Sequence, residues 1–219
     1  SISHCTTMPT PTNLFEITRT AVAYTIEVTR NDTKPLFLNE SGSNKRMQSI
    51  AIDRAWNGEI LHPEHHISVT LTMTEAQLWI EISAPFYNDR SPKKPAGFTH
   101  GLWEFEVVEV FIVGENQTYI ELEFGPFGHY LGYRFNGIRN QDGVVSNIEY
   151  VATIDRDRWH GKAGVPLRML PKTAKSAWRI NATAIHGPTE ARVYQSHIAL
   201  PGDKPNYHQP AVFTTPLIG

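Results

Sequence analysis

The sequence predicts an all-β protein, a two-sheet antiparallel β-sandwich of jelly-roll-like form with roughly ten strands. Three observations lead there. From residue 47 onward apolar and polar residues alternate almost without interruption, the period that puts every second side chain on one face of a pleated strand. The alternating runs are short and are separated by turn-forming residues such as Asn140-Gln141-Asp142-Gly143 and Asp155-Arg156-Asp157-Arg158. Only one stretch, bounded by Pro166 and Pro171, reads as helical, a short turn near residues 167–171.

Residues 1–16 are rich in Thr and Pro and carry little to bury, so they read as a flexible tail. Val22, Tyr24, Ile26 and Val28 alternate with Ala23, Thr25, Glu27 and Thr29 as a first strand, and residues 31–46 hold the turn-formers of a long loop. Ile50 and Ile52 begin the regular pattern, followed by Ile67, Val69, Leu71 and Met73, then by Leu78, Ile80 and Ile82. The densest block alternates through Val108–Val113, Tyr119–Phe124 and Tyr130–Phe135, and residues 147–155, 159–165 and 178–186 continue it. No repeat or linker divides the chain, so residues 17–219 are expected to form a single β-sandwich domain.

The chain has 219 residues, of which 40% are hydrophobic and 19% charged, ordinary values for a protein that buries a core. A formal net charge of −2 without a basic stripe argues against a nucleic-acid partner. The single cysteine, Cys5, allows neither an internal disulfide nor a cysteine-based zinc site. No apolar run is long enough to span a membrane, and the first residues lack a signal-peptide pattern, so a cytoplasmic protein is expected, or a secreted one if a signal peptide has been removed. Sequons at Asn31, Asn39, Asn116 and Asn181 would matter only in the secreted case. Composition leaves the oligomeric state open.

Alternation places Glu109, Glu121, Glu123 and Arg134 opposite their apolar neighbours, so one sheet face is expected to carry three carboxylates and a guanidinium, with the hydroxyls of Tyr119 and Tyr130. Such a face is either an ordinary solvated surface or a platform whose carboxylates accept hydrogen bonds from ligand hydroxyls. Trp103, at the entry to the strand that carries Glu109, would be an aromatic wall of that platform or a lid on the core. Trp79, alternating with Leu78 and Ile80, is the second aromatic on a polar face. The ten histidines show no zinc-motif spacing, so neither a metal nor a cofactor is expected. Phosphate loops, nucleophile elbows and cysteine nucleophiles are missing as well. Acid–base chemistry stays open as the enzymatic alternative, with Glu109 or Glu121 as base and His129 or His208 as acid.

The runs Gly101–Ile112 (GLWEFEVVEVFI), Tyr119–His129 (YIELEFGPFGH), Trp159–Leu167 (WHGKAGVPL), Arg179–Ala182 (RINA) and Pro205–Phe213 (PNYHQPAVF) together resemble the family 9 carbohydrate-binding modules and their DOMON-like relatives. Residues 47–213 as a whole resemble more closely a small eukaryotic family of stand-alone, intracellular proteins of that fold. The resemblance implies a β-sandwich that holds a sugar in a slot, with Trp103 as one wall, Glu109 as a hydroxyl acceptor, and Arg134 and Asn181 in place by strand position. A carbohydrate- or polyol-binding domain is therefore expected, with Trp103, Glu109, Glu121, Arg134, Trp79 and Asn181 as ligand-binding residues. An interaction module, or a haem-binding relative using His and Met ligands, is the further alternative the DOMON likeness implies.

Overall fold

A computed structural model describes residues 46–173 and 178–217, so the tail and first strand expected before residue 46 lie outside the described residues. In chain order the strands are β1 (Arg46–Ile52), β2 (Arg54–Ala55), β3 (Ile67–Met73), β4 (Gln77–Pro85), β5 (Gly97–Phe98), β6 (Val107–Val113), β7 (Thr118–Phe124), β8 (His129–Asn136), β9 (Gln141–Val144), β10 (Glu149–Asp155), β11 (Arg158–Pro166), β12 (Arg179–His186), β13 (Val193–Ser196) and β14 (Thr215–Pro216). The surplus over the expected ten lies in pieces of two to four residues, too short to show a period. The expected helical turn is a 3₁₀ turn at Leu167–Met169, and among the described residues no helix is long and apolar enough to cross a membrane.

The strands form two sheets. One has five strands in the order β1-β3-β4-β11-β10; the other has nine, running β2-β13-β12-β6-β7-β8-β5 with β14 beside β12 and β9 beside β8. All neighbours pair antiparallel except β5 and β8. Ile67, Val69, Leu71 and Met73 from the smaller sheet share one core with Val108, Val110, Ile112, Ile120, Leu122, Phe124, Ile180 and Ala182 from the larger. Fully burying each large aliphatic or aromatic side chain of this kind contributes roughly 1.5–3 kcal/mol before entropy is charged against it. At Gly132 on β8 a Cβ would meet Val145 Cβ at 2.8 Å and Ile148 Cδ1 at 2.9 Å, so only glycine lets that crossing segment seal the sandwich edge.

The larger sheet also covers its second face. Phe111, Val113, Tyr119, Leu131, Tyr133, Phe135 and Ile185 pack there against Leu200, Tyr207 and Phe213 of the closing segment, forming a second core cluster. The Tyr207 hydroxyl ties that segment to the sheet, lying 3.0 Å from the Ala184 carbonyl and 2.9 Å from the Gln195 carbonyl. This second cover changes one expectation. Glu121 stands opposite Tyr133 and Glu123 opposite Leu131, whereas Arg134 stands opposite Ile120 and Tyr130 opposite Phe124. Residues directly opposite share a face, so Arg134 and Tyr130 leave the carboxylate face. In β8 the apolar residues mark the outer face, because that face is covered too.

Candidate functional site

β6 and β7 pair so that Glu109 lies directly opposite Glu123, with Glu121 one position along the same face. All three carboxyl groups are buried, and one oxygen from each lies within 4.8 Å of the other two. Glu109 and Glu121 line a cavity of about 310 Å³, whose wall also includes Trp103, Tyr133, Tyr194 and His208; Glu123 is not part of that wall and meets it only through the other two carboxyls. Phe135, Arg139, Asn206 and Tyr207 complete much of the rest of that wall.

The three acids are served unequally. Glu109 accepts a 2.6 Å hydrogen bond from Thr183 Oγ1, the residue opposite it on β12. Burial pushes Glu109 up to about 7, with Thr183 and the Arg192 charge pulling the other way. Glu121 Oε1 lies 3.7 Å from His208 Nε2. Burial, then the Glu109 charge, raise Glu121 well above the usual carboxylate range against the pull of Arg139. Glu123 has no hydrogen-bonding partner on either oxygen among the described residues. Burial, then Glu109 and Glu121, raise it well above the ordinary value, with only the Trp103 main chain nearby to ease the charge.

His208 links this floor to a second network. Its Nδ1 lies 2.8 Å from the Tyr119 hydroxyl, which accepts the Arg139 backbone N–H at 3.0 Å. With that oxygen already accepting, the phenol hydrogen is free to donate to Nδ1, which leaves Nε2 as the protonated nitrogen of a neutral ring facing Glu121. Burial, then the Arg139 charge, lower His208 to about 4, so the ring is neutral at physiological pH. Glu121 therefore holds its proton to a higher pH than an ordinary glutamate, and the neutral imidazole turns its Nε2–H toward it.

Trp103 stands at the rim with 39% of its surface exposed, in the 3₁₀ turn Leu102–Glu104. That turn starts from Gly101 at φ 78°, a left-handed conformation that favours glycine. His100 meets the Trp103 ring edge-on at 5.4 Å. Arg192 fixes the turn from beneath, donating to the carbonyls of Trp103 (3.0 Å), Phe105 (2.6 Å) and Gly187 (2.7 Å) and lying 3.6 Å from Asp89.

Of the residues expected at the site, Trp103, Glu109, Glu121 and His208 converge on the cavity. Arg134 does not. It projects from the opposite face and holds Asp142 at 3.1 Å, because the β7–β8 register sets it beside Ile120. Trp79 lies on the far face of the five-stranded sheet beneath the Lys162 ammonium, 5.4 Å from its ring centre. Asn181 is fully buried and holds β13 and its exit, donating to Ser196 Oγ at 3.1 Å and accepting the Ile198 N–H at 3.2 Å. His129 pairs with Thr99 Oγ1 at 2.9 Å, and burial, then the Lys94 charge, lower its pKa below the ordinary histidine value. Sequence reasoning missed Tyr133, Tyr194, Arg139 and Arg192. Tyr133 alone carried a signal, since it alternates with Arg134 and Gly132 and a corrected register puts it beside Glu121.

No family model matches the sequence. A structure of a candidate carbohydrate-binding protein from Bacteroides uniformis superposes with a TM-score of 0.59 at 13% identity, covering 77% of this chain and 84% of that one, a likeness of fold. The UPF0462 protein C4orf33 homolog of Danio rerio is 32% identical over 154 residues, 65% of this chain and 76% of the relative. The Mus musculus homolog is 31% identical over 172 residues, 72% of this chain and 85% of the relative. Identity at that level across most of both relatives shows that the chain belongs to the UPF0462 family of C4orf33 homologs.

Proposed function

We propose that the cavity binds a small hydroxyl-rich molecule, a sugar or polyol of about monosaccharide size. The observation that carries this reading is the combination of the buried carboxyl groups of Glu109 and Glu121 in the cavity wall with the half-exposed Trp103 ring at the rim. The volume, about 310 Å³, lies at the small end of the range for ligand pockets, roughly 300–1,000 Å³. Carboxylates accept hydrogen bonds from vicinal hydroxyls, a protonated carboxyl donates one, and an indole face packs against the C–H face of a sugar ring. The Bacteroides uniformis neighbour, described as carbohydrate-binding, supports the choice of ligand class only through shared architecture.

A thermal-shift panel of monosaccharides, disaccharides, polyols, nucleotides and aromatic metabolites tests the reading. A ligand that binds only the folded chain raises its melting temperature. Shifts are expected within the sugars and polyols and are expected to vanish in Trp103→Ala; a folded Trp103→Ala protein with full affinity would remove the assignment.

The chain Tyr119–His208–Glu121 favours one second reading, an enzyme acting on the same ligand by acid–base chemistry at Glu121, which His208 positions. Incubation of the bound ligand with wild-type protein and Glu121→Gln, followed by product analysis, separates the two: a binding domain returns the ligand unchanged from both.

A further inference from the structure

We infer that Glu109, Glu121 and Glu123, the first two of which line the cavity, supply the oxygen ligands of a divalent-cation site. The expectation that no metal binds rested on histidine and cysteine spacing, which does not weigh oxygens that strand register brings together.

The first support is distance. One oxygen from each of the three groups lies within 4.8 Å of the others. Two oxygens coordinating one calcium at roughly 2.4 Å are separated by no more than about 4.8 Å, so the three side chains can reach a common ion with little movement. The second is Glu123 itself, fully buried, with neither oxygen partnered among the described residues and one of them directed into the cluster. Native structures rarely bury a polar side chain this completely without a partner.

Charge is the third. Among the described residues the trio makes no ion pair with a lysine or arginine: Arg192 and Arg139 act on Glu109 and Glu121 only from beyond ion-pair distance, and the ring of His208 lies 3.7 Å from Glu121. Other acids here are provided for: Glu81 has Lys162 at 2.9 Å, and Glu106 accepts the backbone N–H groups of Tyr87 and Asp89. Buried carboxylates are retained when they are protonated, paired or bound to metal. An all-oxygen donor set selects hard ions of the calcium, magnesium and manganese class over zinc or copper. The cavity above leaves room for water or a ligand hydroxyl to complete the coordination shell.

The site does not depend on the sugar reading, and the cation titration that tests it contains no sugar. The full chain is stripped with EDTA and titrated with Ca²⁺, Mg²⁺ and Mn²⁺ by calorimetry and thermal unfolding. One saturable site per chain is expected for at least one ion, with a melting-temperature rise on the order of 5 °C at about a hundred times its Kd. Glu123→Gln should weaken binding tenfold or more. A second readout needs no variant: substoichiometric Mn²⁺ should broaden the imidazole NMR signals of His208 before those of His62 and His65, which lie beside Glu64. Absence of saturable binding at millimolar cation overturns the site and assigns the trio to shared protons. Broadening confined to His62 and His65 also overturns it, by placing the ion on the surface. Repeating the ligand panel in EDTA keeps the outcomes separate, since sugar binding without a cation site leaves the proposed function standing.

Discussion

The outer faces of the two sheets are written in the same alternating pattern and end in opposite environments. On the five-stranded sheet Thr70, Trp79, Glu81 and Lys162 share a face, Glu81 and Lys162 are about half exposed, and they pair at 2.9 Å. On the nine-stranded sheet Glu109, Glu121 and Glu123 share a face, are buried, and have no lysine or arginine pair among the described residues. The difference is not in the strands. It comes from residues 200–213, which lay Leu200, Tyr207 and Phe213 over the second face and leave a cavity above the acids. Alternation thus tells which side chains share a face, and a later segment decides whether that face meets water.

The largest expected effect tests this cover directly. Phe213→Ala should cost about 3–5 kcal/mol, because it empties a fully buried aromatic site between the closing segment and Phe111. Urea unfolding followed by tryptophan fluorescence measures it, and a loss below about 1 kcal/mol would mean that the second face needs no cover.

Glu106 sharpens the comparison as an intermediate case, buried but bonded by two backbone N–H groups. Burial outweighs those bonds and lifts it to about 7. A folded-state value above the unfolded one means that the folded chain holds the proton longer. Its contribution to stability is therefore full below about 4.5 and falls as pH rises to about 7. The difference in unfolding free energy between wild type and Glu106→Gln should shift by about 2–3 kcal/mol across that window, and a flat difference curve would contradict it. The smallest effect belongs to the solvated face. Glu81→Gln should change stability by no more than about 0.5 kcal/mol, since the partner it loses is a half-exposed lysine.

Much of this was legible from residue order. Parity alone put Glu109, Glu121 and Glu123 on one face, and the short runs marked the strands that bear them. Trp103 was found because it precedes β6, a local relation. Arg134 was misplaced because choosing its face requires knowing that the apolar residues of β8 point outward, and that follows only once a cover exists for both faces. Arg192 lies 89 residues from Trp103 in sequence, and no local pattern announces a guanidinium that will pin the distant carbonyls of Trp103 and Phe105. The Tyr119–His208 contact likewise spans 89 residues and appears only when the closing segment returns to the sheet.

The central claim is that a small hydroxyl-rich ligand binds above the covered acids and not on the solvated face. Isothermal titration of the best sugar or polyol from the panel into wild type, Trp103→Ala and Trp79→Ala tests it most directly. The account predicts affinity lowered at least tenfold in Trp103→Ala and unchanged in Trp79→Ala. Affinity retained in Trp103→Ala and lost in Trp79→Ala would contradict it and move the binding site to the open sheet.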